Sequence, residues 1–289
     1  MARGYEEWQE ILADLAPLYL NDLHQFRLRV KELTRESADD PAWLAFWKGY
    51  DFWQCQGDLE RAKEKLRKAL ALQPDNPRFL LVLASILYEN GEHSEVLPLT
   101  RDALDRDDGL SSGWNLLGLA LTEQEDYDAA TEAFHTAIRL DETSPYPWNG
   151  LGSLLRSRGE YDKAIQAHQK ALAVNPRCIG ALNSIGITLY LKGEFDNALA
   201  VYEEAFAKEP VLRHRLMILI GCCMVCIDKG DTDRTASFMN LFRRLGGDAP
   251  SWAGWRAHIA RHMKERMNFR QRCAIAAKRL FSGFQACWK

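Results

Sequence analysis

The chain has 289 residues, a formal net charge of −3 and a hydrophobic content of 47%. This composition is sufficient for a sizeable core, and the near-neutral balance gives the chain as a whole no general attraction to nucleic acid. By length alone the chain fits one or two domains.

The sequence predicts neither a secretion signal nor a membrane span. The N-terminal stretch MARGYEEWQEILADL has early acids and no long apolar run, and no window approaches the ~18 apolar residues of a spanning helix. The seven cysteines are odd in number and do not space like a disulfide framework. We therefore expect a reducing, cytoplasmic setting.

Residues 1–42 are predicted to form an N-terminal helical cap. Pro17 should separate or kink two helices, and the loop that ends in Asp40-Pro41 is a start signal for the next helix. A partner-binding arm is the alternative. The apolar faces of the two predicted helices contain Trp8, Ile11, Leu12 and Leu15, and then Leu23, Phe26, Val30 and Leu33.

From Trp43 the sequence repeats with a period of 34 residues. The twenty-seventh position is alanine in every copy, and the fifteenth is glycine in all copies except the third, which has Glu125. Such regularity predicts a repeat architecture in which each unit packs on its neighbours. The five predicted units are 43–76, 77–110, 111–144, 145–178 and 179–212.

Each repeated residue type has a physical reason. The small residues at the twentieth and twenty-seventh positions should let helices approach closely. Glycine at the fifteenth should end the first helix of each unit in the left-handed conformation. Proline at the thirty-second, present as Pro74, Pro176 and Pro210, should stop the second helix.

The fourth unit resembles the tetratricopeptide repeat (TPR), a helix–turn–helix motif. His168 departs from the pattern, because the family usually has an aromatic residue there. The resemblance implies an all-α fold, a right-handed superhelical TPR solenoid of antiparallel helix pairs with flanking capping helices. It also implies a role in protein–protein interaction. The matching residues are Trp148, Leu151, Gly152, Gly159, Tyr161, Ala164, Ala171 and Pro176.

Two parts of the array depart from the regular pattern. Pro98 falls inside the predicted second helix of the second unit, where we expect a kink. Residues 213–247 are predicted to form a degenerate sixth unit, because Gly230-Asp231 resembles the inter-helix turn but arrives three residues late. The first helix of this unit should therefore be about one turn longer.

The resemblance implies a concave groove lined by the second, fifth, ninth and twelfth positions of each first helix. Asn115, Asn149 and Asn183 occupy the fifth position in three consecutive units. An amide side chain both donates and accepts hydrogen bonds, so a row of them can pair with the backbone of an extended peptide. A scaffold role within the repeats is the alternative.

Further groove positions carry charged and aromatic residues. Arg78 and Arg156 are expected to meet carboxylates. The two-carboxylate clamp of TPR proteins that bind chaperone tails is missing, since Trp47 and Asp51 stand where lysine and asparagine are needed. Binding of an acidic chaperone tail is therefore disfavoured. The side chains expected to form apolar pockets are Tyr146, Tyr190, Trp47 and Tyr88.

No motif predicts an enzyme, a metal site or a cofactor. The cysteines at 222, 223 and 226 lie in an apolar helical stretch and lack the second pair that a four-ligand zinc site needs. We interpret them as core residues, and His168 as packed. His258 and His262 lack the glutamate of an HExxH motif, which favours a solvated basic face.

Residues 248–289 are predicted to form a basic C-terminal helical segment. From Trp255 onward the charge is +8, with nine lysines and arginines against Glu265. Three interpretations are open: a cap on the solenoid, binding of an acidic protein or self-association, and binding of an anionic membrane or nucleic acid. The candidate electrostatic residues are Arg261, Lys264, Arg266, Arg270, Arg272, Lys278 and Arg279.

These features together predict a non-enzymatic adaptor or scaffold. It would hold an extended segment of a partner protein in its concave groove. The alternative is a factor that associates with nucleic acid or anionic membranes through the basic C-terminal helix.

Overall fold

The computed structural model describes residues 11, 15, 18, 22–209, 212–247, 249 and 252–267. Within these ranges the chain is helical and contains no β-strand, as predicted. It divides into two compact units, Met1–Leu154 and Leu155–Lys289. The division falls inside one helix, Tyr146–Ser157.

In the first unit, successive helices pack against one another along the chain. α4 also contacts α6 directly, so the first helices of neighbouring repeats form one layer. A π-helical turn, Phe52–Gln56, follows α2. The helices of this unit are α1 (Leu23–Glu36), α2 (Pro41–Asp51), α3 (Leu59–Leu72), α4 (Pro77–Glu89), α5 (Val96–Arg106), α6 (Ser111–Glu123), α7 (Tyr127–Leu140) and the larger part of α8 (Tyr146–Ser157).

The second unit follows the same scheme. α10 contacts α12 as well as α11, and α14 packs on α12. A second π-helical turn, Arg243–Gly247, follows α13. The helices after α8 are α9 (Tyr161–Val174), α10 (Ile179–Lys192), α11 (Phe195–Lys208), α12 (Leu212–Lys229), α13 (Thr232–Phe242) and α14 (Ala253–Arg266).

The N-terminal region places α1 against α2. Phe26, Val30 and Leu33 on α1 are fully buried. The Asp40 side chain accepts hydrogen bonds from the backbone N–H groups of Ala42 and Trp43, which confirms the start signal for α2. Trp8, Leu12 and Pro17 lie outside the described residues, whereas Ile11 and Leu15 pack against the core of this unit.

The turn at the fifteenth repeat position has the predicted left-handed backbone in all five units. Its φ angle is 70° at Gly57, 77° at Gly91, 77° at Gly159 and 85° at Gly193. Glu125 adopts the same conformation with a φ of 62°. The turn geometry is therefore kept even where glycine, which adopts it without strain, is replaced.

The second helices of all five units end at the thirtieth repeat position. α3, α7 and α9 end at Leu72, Leu140 and Val174, although the unit of α7 lacks the proline that the sequence pattern suggested as the stop. In each case the next residue leaves the helical conformation, and its N–H still donates to the carbonyl of the alanine at the twenty-seventh position, four residues back. Proline is compatible with this end but does not set it.

Pro98 does not kink a helix, contrary to the prediction. α5 begins only at Val96, so Pro98 lies in its first turn, where a helix needs no backbone N–H from the residue. The second helices of the other four regular units begin at the seventeenth repeat position. α5 begins three residues later, so the proline shortens the helix at its start.

Aromatic rings that pack directly against glycine backbones join neighbouring repeats. A Cβ atom built on Gly118 would lie 2.8 Å from the ring of Phe134, and one on Gly150 would lie 2.3 Å from it. The side chains at the twentieth and twenty-seventh positions are also fully buried, as expected where helices approach closely. They are Ala62, Val96, Ala130, Ala164 and Ala198, and Ala69, Ala103, Ala137, Ala171 and Ala205.

Candidate functional site

The three asparagines proposed to line a groove have different environments. Asn115 is half-buried, and its Oδ1 atom is buried without a hydrogen bond from any described residue. Asn149 is half-buried and interacts with other parts of the protein. Asn183 belongs to the second unit, where it lines a cavity. The Asn115 Oδ1 atom is therefore unpaired but shielded from solvent, while Asn149 is at least partly engaged.

Trp47 is not a groove residue, contrary to the prediction. Its side chain is 0% exposed. Ring centroids lie 5.0 Å away at Phe46, 5.6 Å away at Tyr50 and 6.4 Å away at Trp43. The first repeat fills its inner positions with large aromatic side chains, so this tryptophan packs inside the cluster and cannot form the wall of a surface pocket.

The other predicted groove residues of the first unit lie on α4 and α8. Tyr146 is exposed, and Arg78 is half-buried and interacts within the protein. Tyr88 is half-buried, with its ring 5.3 Å from that of His93. Burial, assisted by the charge and hydrogen bond of Glu123, raises the pKa of Tyr88 to about 12. The phenol stays neutral and is already in contact with the protein.

A cavity of about 250 Å³ lies in the second unit at the predicted groove positions. We call it the repeat-5/6 pocket. Tyr190 and Asn183 were predicted as groove residues, and both lie on its wall. The lining residues are Asn183, Ile187, Tyr190 and Leu191 of α10, Tyr202 of α11, Met217, Ile220, Gly221 and Met224 of α12, and Trp255 of α14.

The wall contributed by α12 follows from a shift in the repeat. α12 has 18 residues, and Gly230 has the left-handed φ of 71° found at the fifteenth position of the other units. Counting back from this glycine gives the second, fifth and ninth positions as Met217, Ile220 and Met224. These three residues line the pocket, so the longer first helix keeps its inner face in register with α10. Sequence reasoning predicted the extra turn but did not assign these residues.

The Tyr202 ring is fixed between two helices. A Cβ atom on Gly186 of α10 or on Gly221 of α12 would lie 2.7 Å from the ring. Tyr202 is buried, and burial is the main cause that raises the pKa of its hydroxyl, while the Arg156 guanidinium opposes the rise. The tyrosine is therefore a neutral, rigid part of the pocket.

Arg156 is a cation without an acidic partner among the described residues. It is half-buried, its Nη1 atom is buried without a hydrogen bond, and burial lowers its pKa. His168 is fully buried, which confirms that it is packed. Burial first, and then the Arg156 charge, lower the pKa of His168 to about 3. Since His168 is neutral at physiological pH, Arg156 supplies the charge of this region.

Asp228 joins three side chains at the Tyr190 end of the pocket. The Tyr190 hydroxyl donates a 2.5 Å hydrogen bond to its Oδ2 atom. Its Oδ1 atom lies 2.9 Å from Nε2 of His262 and 3.6 Å from Nε of Arg266. The Asp228 side chain is only 10% exposed. The contact between Oδ1 and Nε2 lacks the angles of a hydrogen bond and is a close polar contact.

The described part of the basic tail packs on α12 within the second unit. Ile259 and Met263 of α14 are buried against α12. His262 is half-buried beside Asp228, so the prediction that it lies on a solvated face is wrong, while His258 is exposed as predicted. Arg261, Lys264 and Arg266 are exposed. The remaining candidate electrostatic residues, Arg270, Arg272, Lys278 and Arg279, lie outside the described residues.

The cysteines of α12 are core residues, as predicted. Cys222, Cys223 and Cys226 are fully buried and form no disulfide with one another. Burial raises the pKa of Cys226 to about 11 and also raises that of Cys222, so these thiols stay protonated. No group of histidine, cysteine or carboxylate side chains in the described ranges is arranged to hold a metal ion.

A larger hollow in the first unit offers less for recognition. It has a volume of about 520 Å³ and lies between the loop 73–77 and Arg106. Its arginine is already paired with Asp75 at 2.7 Å and with Asp102. The hollow is open and its cation is satisfied, so we favour the repeat-5/6 pocket as the candidate site.

Comparison with known families agrees with the repeat architecture. Models described as the tetratricopeptide repeat match residues 56–119, 111–144, 145–178 and 178–208. The chain belongs to the tetratricopeptide repeat family. This fold provides protein–protein interaction scaffolds. Within the described residues of this TPR chain, no helix has both the length and the apolarity to cross a membrane.

Relatives share the fold over different lengths. Tetratricopeptide repeat protein 7A of Homo sapiens is 34% identical over 92 residues, which cover 32% of this chain and 11% of that protein. The chain thus spans about a tenth of the length of this curated relative. A solved TPR protein from Parabacteroides merdae is 19% identical, with a TM-score of 0.62, and the alignment covers 91% of this chain and 100% of that one. A thermophilic TPR protein from Thermus thermophilus is 21% identical, with a TM-score of 0.57, over 62% and 98%.

Proposed function

We propose that this TPR protein is a non-enzymatic adaptor that binds an extended segment of a partner protein on the face formed by its first helices. The single observation that carries the proposal is the repeat-5/6 pocket. It lies where the inner faces of α10 and α12 meet, and it combines an apolar lining with the amide of Asn183. A pocket with a few polar groups in an apolar wall is typical of a binding site.

The asparagines support backbone recognition. Asn115 has an acceptor atom without an internal hydrogen bond, and Asn183 faces a cavity. Each hydrogen bond to a ligand backbone would contribute ~0.5–1.5 kcal/mol. The triple variant Asn115→Ala/Asn149→Ala/Asn183→Ala should therefore weaken binding of the partner by ten-fold or more, by this order-of-magnitude count.

The proposal is tested by site-specific photo-crosslinking. A photoreactive amino acid replaces Met217, which is 42% exposed at the pocket, and in a matched control it replaces Asn197, which is exposed on α11 outside the pocket lining. We expect a crosslinked partner protein from Met217 that is absent from Asn197 and from the asparagine triple variant. Identical crosslinking patterns at the two positions would contradict the proposal.

The contacts of α14 support a capping role for the tail in the second unit. Ile259 and Met263 bury their side chains on α12, and His262 and Arg266 contact Asp228. These contacts use part of α14 to hold the helix in place. We therefore favour a cap over the alternative of nucleic-acid or anionic-membrane binding, and we retain a cytoplasmic setting as part of the proposal.

A further inference from the structure

The helix α14 forms part of the repeat-5/6 pocket although few contacts hold it in place. Ten of its fourteen residues are exposed, and its buried residues are Ile259 and Met263. A helix of this length is marginal on its own in water, so its position depends on its contacts with α12. This helix also carries Trp255, which lines the pocket. A group that strengthens or weakens the docking of α14 therefore changes the pocket as well.

His262 makes a contact whose strength depends on pH. Its Nε2 atom lies 2.9 Å from Oδ1 of Asp228, and the two side chains are 13% and 10% exposed. At this distance the attraction is much stronger when the imidazole is protonated, because the ring then carries a full positive charge and both of its nitrogens are donors. Water and salt screen such a partly buried pair less than a surface pair. Histidine changes its charge around pH ~6.5 in model peptides.

The other groups at this contact keep their charge near neutral pH. From α10, the Tyr190 hydroxyl donates to Oδ2 of Asp228 at 2.5 Å, and burial, followed by the hydrogen bond and the charge of Asp228, raises the pKa of Tyr190. From α14 itself, Nε of Arg266 lies 3.6 Å from Oδ1 of Asp228, and a guanidinium stays protonated. Two basic residues of α12 and α13 pair with acids of α11 instead: Lys229 with Asp196, and Arg234 with Glu203.

We propose that α14 is a pH-sensitive wall of the repeat-5/6 pocket. Protonation of His262 strengthens its contact with Asp228 and holds α14, and with it Trp255, against the pocket. As the pH rises and His262 loses this proton, the contact weakens, α14 detaches more often and the pocket opens on the Trp255 side. The inference rests on the proposed function and specifies how the same site is regulated.

The test follows α14 in the full-length protein by hydrogen–deuterium exchange and mass spectrometry at pH 6 and at pH 8. The measured rates are divided into the intrinsic chemical rates at each pH, which gives the protection due to structure. We expect the protection of α14 to be about five-fold higher at pH 6, an effect between those of an exposed ion pair and a buried charged hydrogen bond.

A second readout reports on the pocket itself. The protein is labelled with fluorotryptophan, and the fluorine NMR resonance of Trp255 is assigned by its loss in Trp255→Phe. Because Trp255 is carried by α14 and lines the pocket, its resonance should shift over the same pH range.

Matched variants of two histidines separate the contact from general effects of pH. His262→Gln keeps a hydrogen-bond donor but cannot gain a charge, so the difference in protection should disappear. His258→Gln changes an exposed histidine one turn earlier on the same helix and should leave the difference intact. Asp228→Asn removes the acid instead of the base and should abolish the difference as well, which provides a second variant if His262→Gln does not fold.

Each outcome decides the inference. Equal protection of α14 at the two pH values would overturn it. So would a pH difference that persists in folded His262→Gln or Asp228→Asn, or one that His258→Gln removes. These measurements need no partner protein, whereas the adaptor function is judged by crosslinking from Met217, so the two failures are distinguishable.

Discussion

Replacing Glu125 by glycine should stabilise the protein. Glu125 has a φ of 62°, whereas the other regular units place glycine at this turn. The turn is closed by the Asp126 N–H donating to the Leu121 carbonyl at 3.0 Å, and the bond at Gly91 is similar, at 2.9 Å. Because the geometry is the same, the residue type alone should determine the difference. A left-handed non-glycine residue costs ~1–2 kcal/mol, and the extra freedom of glycine in the unfolded chain offsets ~0.4–1 kcal/mol.

The net expectation is a gain of ~0.5–1 kcal/mol in the free energy of unfolding, from the difference of these terms. Urea denaturation followed by circular dichroism provides the midpoint, and amide exchange at Asp126 provides the local effect, since repeat arrays need not unfold in one step. Glu125→Ala keeps the strain and should change little. Gly91→Ala, where no atom lies within 4 Å of the new Cβ, should lose a similar amount. Equal midpoints for Glu125→Gly and Glu125→Ala would refute the reasoning.

Three further perturbations test packing, acid sensitivity and the tail contact. Gly186→Ala should destabilise the second unit by ~1–3 kcal/mol, because the new methyl group would overlap the Tyr202 ring; an unchanged melting point would contradict this. His168 has a lowered pKa, so the unfolded state binds its proton more readily, and stability present above the unfolded pKa of about 6.5 should fall as pH drops towards 3. His168→Phe should reduce that slope, which is at most ~1.4 kcal/mol per pH unit for one proton, in urea titrations at several pH values. Tyr190→Phe removes the hydrogen bond to Asp228 and should cost ~1 kcal/mol, seen as faster amide exchange in α14; equal exchange rates would count against a role in holding the tail.

Much of the helix arrangement could be predicted because the chain repeats its own packing rules. The alanines at the twenty-seventh position are buried in each regular unit, and the turn at the fifteenth is left-handed even at Glu125. A residue type that recurs at a fixed spacing reports a local demand that every unit shares. Pro98 shows the limit, since α5 begins at Val96 and the proline lies in its first turn, where the sequence pattern predicted the middle of a helix.

The errors in the predicted site arise where neighbours differ from the average repeat. Trp47 occupies a groove position in the pattern, yet the aromatic residues around it place it in the core. His262 was assigned to solvent because its partner, Asp228, lies on a different helix and far away in sequence. The burial of Trp47 depends on aromatic neighbours of its own helix that the average repeat lacks. The contact of His262 depends on a side chain of another helix, so it does not follow from periodicity either.

The lining of the pocket was partly accessible to sequence reasoning. The late Gly230 already implied a shift of three residues, and applying that shift to the inner positions gives Met217, Ile220 and Met224. Trp255 was different. It comes from α14, beyond the repeats, and no spacing rule relates it to α10.

The rings seated on glycines have a consequence for how such a chain can change in evolution. Phe134 is covered by a glycine of its own repeat and one of the next, and Tyr202 by Gly186 and Gly221. After a duplication or deletion, both repeats at the new junction must therefore provide glycine against the ring, since a bulky residue at either position would exclude it. The extra turn of α12 leaves the Gly221 seat in place, so the chain has lengthened a helix without losing the contact. An interior repeat must fit two neighbours and a terminal repeat only one, so sequence changes disturb fewer packing contacts at the ends of the array.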